Sequence, residues 1–233
     1  MQEYYSDNSM MLVAVDCIIF GLKDNRLCVL LYRRGFEPCK GEWSLLGGFV
    51  NKNESVDSAA RRVLTTLTGL NDVYMQQLGA FGAVNREPDR RVVSVAYYAL
   101  LNVSERNTSV GSVSDNAVWV AVDSLPPLVF DHQEMIDMAL AALRRDIKAT
   151  PLVFELLPEM FSLTHMQTLY ETIYGYPLDK RNFRKRVGTM PEVIDTGLID
   201  KTGSRRGARL FTYRKQSPPT PENRPSHKPS TIS

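Results

Sequence analysis

The spacing of apolar residues changes along the chain, and each change predicts an element. Residues 11–20 are rich in valine and isoleucine. Residues 27–32 are a second apolar run, and Asp24-Asn25-Arg26 between them predicts a β-hairpin. A polar loop over 33–42 leads into Trp43-Ser-Leu-Leu-Gly-Gly-Phe-Val, a short strand broken by two glycines. In residues 55–68, Val56, Ala59, Ala60, Val63, Leu64 and Leu67 recur at i, i+3, i+4, i+7, i+8 and i+11, which is one face of a helix. Gly69 is its expected stop. Strand patterns follow at 75–84, 92–101 and 117–122, then an amphipathic helix at 133–148. This order predicts an α+β fold, an α/β/α sandwich with helices packed on a mixed sheet.

After Ala149 the pattern shortens. Pro151 opens a brief helix that Pro158 ends. Thr164 and Gln167 read as N-cap and N3 of a second helix, which stops at Gly175. Asp179 caps a third helix over 180–190, closed by Pro191. Residues 198–202 and 208–213 flank a basic, glycine-bounded tip as a hairpin. Three helices and a hairpin predict a winged helix-turn-helix. From Gln216 the chain is rich in proline and serine and lacks apolar periodicity, as disordered tails do. The expected division is therefore 1–149, 150–215 and a tail at 216–233.

The composition is that of a globular chain, 43% hydrophobic and 23% charged. No apolar run reaches the roughly 18 residues of a membrane helix. The polar, acidic N-terminus is not a standard secretory signal. Cys17, Cys28 and Cys39 are odd in number and too widely spaced for a zinc knuckle, so they read as reduced core thiols of a cytoplasmic protein. A net charge of +2 conceals a split. Residues 1–147 carry 14 Lys+Arg against 18 Asp+Glu, and residues 148–215 carry 12 against 7. The basic second part suggests a polyanionic partner.

The helix at 180–190 gives that partner a form. Phe183, Val187 and Met190 share the core face. At about 100° per residue the opposite face carries Arg181, Asn182, Lys185, Gly188 and Thr189, with Arg184 and Arg186 on the flanks. Five of the nine residues 178–186 are basic, including Lys180. Arg, Asn and Lys are the side chains that read base edges in a major groove. Arg205, Arg206 and Arg209 on the downstream hairpin suit a wing on the phosphates. A solvated charged face is the ordinary alternative; the Asp-capped helix and the second basic element favour DNA.

Residues 48–70 run Gly48, five residues, Glu54, seven residues, then Arg62-Val-Leu-Thr-Thr-Leu-Thr-Gly69-Leu70. This frame resembles the Nudix box over 23 residues without a gap. Nudix hydrolases cut diphosphates with divalent metals held by clustered glutamates, oxygen ligands suited to hard cations. Val63, Thr66 and Leu67 stand at those positions. No catalytic residue, metal or cofactor is therefore expected, and Glu54 and Arg62 read as a structural ion pair or a helix-start charge.

A degenerate box followed by a winged helix resembles the Nudix-related transcriptional regulators. Segments 77–82, 91–97, Phe130-Asp131-His132, 178–184 and 207–211 also resemble the family's signatures, so the likeness spans 10–214. It implies a homodimer joined through Nudix-like domains, double-stranded operator DNA under the winged helices, and an effector that controls release. The family includes ADP-ribose sensors that repress NAD-biosynthesis genes and regulators of L-arabinose use, and the overall resemblance is nearest the arabinose group. Val63 and Leu67 in place of charge favour a small neutral sugar, so L-arabinose is the expected effector and ADP-ribose the alternative. Expected effector contacts are Arg33, Lys40, Trp43, Gly47, Phe81 and His132. For Trp43 and Phe81 a core role competes. For Arg33, Arg34, Lys40 and Arg86 solvated loop charge competes. Asp131 reads as an N-cap and His165 as a surface residue. Competing functions are a metal-dependent hydrolase, if Asp16 or Glu42 rebuilds the site, and a scaffold with no working site.

Overall fold

The computed structural model describes residues 8–69, 73–103, 116–202 and 207–214. Arg205, Arg206 and the tail at 216–233 lie outside these residues. Strand β1 (Leu12–Lys23) turns into β2 (Arg26–Arg33) through Asp24 and Asn25, at φ 51 and 57°. Two left-handed residues match the twist of a tight hairpin, and Asp and Asn tolerate that conformation.

β1 is the centre of the sheet. One edge runs parallel to β6 (Val92–Leu101), from Leu12↔Val92 to Gly21↔Leu101. The other edge is shared end to end: its last residues pair with β2, and Ala14 to Cys17 pair with β4 (Leu46–Phe49). β2 thus departs from β1, and β3 (Trp43–Ser44) joins β2 at Tyr32 and Arg33 before the chain steps into the opening as β4. β5 (Tyr74–Phe81) lies antiparallel to β6, and β7 (Ala117–Ala121) lies on the outer edge of β2. The mixed sheet agrees with the expected fold class.

Both faces of β1 are buried, so its sequence reads as a continuous apolar run rather than an alternation. Val15, Cys17 and Ile19 face α1 (Val56–Thr68), which packs Ala59, Ala60, Val63 and Leu64 on them. Ser55 caps α1 by accepting from the Ser58 N–H, and Gly69 ends it at φ 71°. Ile18, Phe20 and Leu22 face α2 (His132–Ala149) through Met135, Ile136, Ala139, Ala142, Leu143 and Ile147. Cys17 and Cys28 are free and buried. Cys39 is free but half-buried in the 33–42 loop, so it is not the core thiol expected.

The second domain is a winged helix built from a 3-10 turn (Leu152–Glu155), β8 (Met160–Ser162), α3 (Leu163–Tyr174), α4 (Lys180–Val187) and the hairpin of β9 (Val193–Asp200) with β10 (Ala208–Tyr213). Four expectations are corrected. The first of the three expected helices is only the 3-10 turn. A third strand, β8, pairs with β10. Ser162, not Thr164, caps α3 by accepting from the His165 N–H, and Gln167 instead bonds Glu171 and the Leu178 carbonyl. α4 stops at Val187, because Thr189 and Met190 donate back to Arg186 and Val187 in a tightened turn ahead of Pro191.

Met166, Leu169, Tyr170, Ile173, Phe183 and Val187 belong to the same buried cluster as Phe20, Leu31 and Leu143. The two domains thus share one core. Both tryptophans, Trp43 and Trp119, lie in the first domain. Leu169→Ala should therefore lower the unfolding free energy by about 2–5 kcal/mol and move the tryptophan-fluorescence transition together with far-UV circular dichroism. A fluorescence midpoint that stays at the wild-type value would mean that the domains unfold independently.

Candidate effector cleft and DNA-reading surface

The departure of β2 from β1 opens a cleft of about 350 Å³ between Ala14 and Asp16 of β1, Tyr32 and Arg34 at the end of β2, and the β3–β4 segment from Ser44 to Phe49. Phe36, Glu37, Pro38, Glu87, Phe130 and His132 complete its walls. The size falls in the range of about 300–1,000 Å³ common to small-molecule sites. Two glycines let β4 pass through. A Cβ on Gly47 would overlap the Asp16 carboxylate, and a Cβ on Gly48 would sit 2.9 Å from Val63 Cγ2 on the α1 side.

A buried polar cluster forms the floor. The Arg86 side chain is 1% exposed and bonds Asp131 through both Nε (2.9 Å) and Nη2 (2.7 Å), with Glu87 at 3.1 Å and Asp16 at 3.5 Å. The Ser94 hydroxyl donates to Asp16 at 2.6 Å. The Leu45 N–H donates to His132 Nδ1 at 3.0 Å, which leaves the ring proton on Nε2, 3.7 Å from Asp16 Oδ1. Burial pulls the His132 pKa down against the attraction of Asp16 and Asp131, so the ring is neutral. Burial also raises the Glu87 carboxyl.

Of the expected effector residues, Gly47 and His132 line this cleft. Arg33, Lys40, Trp43 and Phe81 do not. Trp43 packs on the core with Arg33 over its ring at 5.2 Å, and Phe81 is buried in the core and borders a separate hollow beside Asp131. Arg86 is a buried ion-pair centre rather than loop charge. Asp131 makes no capping hydrogen bond because Arg86 holds its carboxylate. His165 is half-buried rather than on the surface. Arg34, for which solvated loop charge competed, lies in the cleft, stacked between Phe36 (4.6 Å) and Phe130 (5.2 Å). Asp16, named only as a carboxylate able to rebuild a metal site, lines the cleft, whereas Glu42 does not.

On the box helix, Arg62 pairs with Glu54 at 2.6 Å and donates to the Phe49 carbonyl, tying the β4–α1 loop to the helix. The Arg62 guanidinium holds the Glu54 carboxyl down at about 2. Val63 is buried beneath Gly48, Thr66 is exposed, and Glu42 is exposed in the loop. Among the described residues no group of three His, Cys, Asp or Glu is placed to hold a metal.

On the winged helix, Asp179 caps α4 by accepting from the Asn182 N–H. Phe183 and Val187 are buried and Met190 packs against the same core. Lys180, Arg181, Asn182, Arg184 and Lys185 are exposed. Arg186 turns back, its guanidinium 4.8 Å from the Tyr170 ring. Arg184 and Arg209 border a groove between α3 and the wing, and Arg209 pairs with Asp195 at 2.8 Å.

Cleft, box helix and basic reading helix together define a Nudix-type domain joined to a winged helix. The NUDIX domain family model matches residues 10–139, and the NrtR DNA-binding winged helix domain model matches residues 153–213. The chain belongs to the NrtR family. It is 31% identical over 220 residues to the ADPR responsive transcriptional repressor NtrR of Acinetobacter baylyi, covering 91% of this chain and 85% of that one. It is 36% identical over 124 residues to the ADP-ribose pyrophosphatase of Methanocaldococcus jannaschii, covering 53% and 70%. NrtR of Shewanella oneidensis, solved with a 27mer DNA, superimposes with a TM-score of 0.75 at 30% identity over 87% of this chain and 93% of that one. Its NUDIX domain complexed with ADP ribose matches at 0.50 and 29% over 61% and 99%. The expectation of an L-arabinose-responsive chain is overturned by these relatives. Its physical premise also fails, because Val63 sits on the α1 side of the sheet and does not line the cleft.

His132 yields a pH test. Its folded pKa lies below the ordinary value of 6.5, so only the unfolded chain gains a proton as pH first falls through that value. The stability from the neutral ring is complete above pH 6.5 and is lost progressively below it. His132→Asn keeps an acceptor for the Leu45 N–H without titrating. Between about pH 6.5 and 5.5, the melting temperature of the wild type should fall more steeply than that of the variant. Parallel slopes in thermal-shift measurements would exclude this titration.

Proposed function

We propose that this chain is an ADP-ribose-responsive transcriptional repressor. The Nudix-like domain binds the nucleotide sugar without hydrolysing it, and the winged helices of a homodimer bind operator DNA in the cytoplasm. The observation that carries the reading is the junction of a ligand-sized cleft and an exposed basic reading helix on one continuous core. The cleft chemistry agrees. Tyr32, Phe36, Phe49 and Phe130 offer walls for a flat base, Asp16 and Glu87 offer acceptors for ribose hydroxyls, and Arg34 offers a cation for phosphate. We place the domain boundary at 149/150. Arg181, Asn182, Arg184 and Lys185 are the base-reading candidates, with Lys180 and the wing arginines on phosphates. Arg186, exposed but lying over the Tyr170 ring, is assigned to holding α4 against α3.

The test is calorimetry with ADP-ribose and with L-arabinose, followed by titration of the protein on a duplex selected from a random library. ADP-ribose should bind and weaken DNA affinity, by linkage typically 5–150-fold, and arabinose should do neither. Binding of arabinose alone would sink the reading. The likeness to a pyrophosphatase favours hydrolysis as the second reading. Turnover of ADP-ribose with Mg²⁺ or Mn²⁺, abolished by Glu54→Gln, would establish it.

The reading face has its own test. Lys185→Ala should cost about 1–3 kcal/mol of DNA binding and relax base preference at one position. Arg186→Ala should leave the preferred sequence unchanged and lower stability by about 0.5–1 kcal/mol through its lost ring contact. Selection and melting experiments on both variants check the assignment; exchanged effects would reverse it.

A further inference from the structure

The Phe130-Asp131-His132 segment does more than start a helix. Phe130 has φ 53°, a conformation that a bulky residue holds only when its surroundings enforce it. Its ring lines the cleft and meets His132 edge-on at 5.5 Å. Asp131 is fixed by Arg86, and His132 is tied to the β3–β4 wall of the cleft through the Leu45 N–H. The first turn of α2 is therefore part of the cleft. The helix then runs 18 residues, about 27 Å. Near its far end Arg144 Nε donates to the Ile173 carbonyl in the last turn of α3, at 2.7 Å. α3 in turn carries Tyr170, against which Phe183 and Arg186 of the reading helix pack at 5.6 and 4.8 Å.

We propose that α2 carries the effector's signal from the cleft to the reading helix, and that Arg144 is the positioning residue that closes the link. The proposal rests on the effector reading of the cleft given above. β2 also touches both the cleft and α3, but backbone ladders to β1 and β7 pin it on both edges. α2 is held by side chains alone. A packed helix can shift by about 1–2 Å between discrete positions without breaking backbone pairing. Coupling needs such a two-position element, biased by both sites. A ligand that moves the Leu45 wall moves His132, and a rigid helix delivers that motion to α3 at Arg144.

The experiment uses the full chain, ADP-ribose, and a duplex selected from a random library by the wild type. Calorimetry gives the ADP-ribose affinity with and without duplex, and the ratio is the coupling. Arg144→Met keeps the packing and removes the donor. Each separate affinity should stay within about threefold of wild type while the coupling falls at least about fivefold toward unity. Thr172→Val removes a different interdomain bond, from Thr172 Oγ1 to the Asn25 carbonyl (3.2 Å), that does not involve α2. It should keep the full coupling. Wild-type coupling in Arg144→Met, or equal loss in both variants, overturns the proposal. If Arg144→Met fails to fold, Arg144→Leu, which likewise lacks a donor for the Ile173 carbonyl, is read by the same comparison. A wild type that binds ADP-ribose with no effect on DNA, or does not bind it, refutes the effector reading and with it this one. A coupled wild type with coupled variants refutes only the route through α2.

Discussion

Everything in this chain rests on the burial of α2. Met135, Ile136, Ala139, Ala142, Leu143 and Ile147 lie on the sheet and against α3 at once, with at most 3% exposure. A fully buried aliphatic side chain contributes about 1.5–3 kcal/mol. A unit the size of the winged helix is marginal by itself, since small domains bury too little surface. Its core here is an extension of the first domain's core, through Leu157, Phe161, Met166 and Leu169. The direction of the reading helix is consequently set by what α2 rests on, as much as by the winged helix itself.

The start of α2 is held by charge as well as hydrocarbon. One guanidinium among three carboxylates is a costly group to bury unless each partner is hydrogen-bonded. Here Asp131 receives two bonds from Arg86, and Asp16 receives one from Ser94. The cluster draws β1, β6, the loop at 86–87 and the start of α2 to one point. Carboxylates outnumber the arginine there, and the neutral His132 does not correct the balance. A cleft with this floor favours ligands that bring hydrogen-bond donors. Arg34, between the Phe36 and Phe130 rings, places one positive charge at the aromatic mouth.

The fold was legible wherever local rules agree with burial. The Asp24-Asn25 turn, the Ser55 to Gly69 helix and the Asp179 cap were read from residue type and period, and the structure keeps all three. Readings failed where a side chain serves a distant partner. Asp131 has the chemistry of an N-cap, yet Arg86, 45 residues away, holds it. Thr164 fits a capping box, yet Ser162 takes the position because β8 ends there. The cleft was harder still. Its residues come from β1, the β2 end, β4 and the start of α2, and no period in the sequence marks a strand departure. Gly47 and His132 were found because a glycine pair in a strand and a histidine before a helix stand out locally. Arg34 is locally indistinguishable from Arg33 beside it, and Phe130 stood out only as part of a family-like segment.

The mistaken sugar effector has the same root. The box spacing aligns Val63 with a lost carboxylate, and it is natural to suppose that hydrocarbon there shrinks the ligand site. Strand geometry decides otherwise. Successive residues of β4 face opposite sides, so Gly47 looks toward Asp16 and the cleft while Gly48 looks toward Val63 and α1. Val63 is therefore core beneath Gly48, and the cleft walls come from residues outside the box helix. The cleft itself presents the aromatic rings of Tyr32, Phe36, Phe49 and Phe130, the carboxylates of Asp16 and Glu87 and the guanidinium of Arg34. The lining of the cleft is thus set by β1, the end of β2, β4 and the start of α2, and not by the box helix.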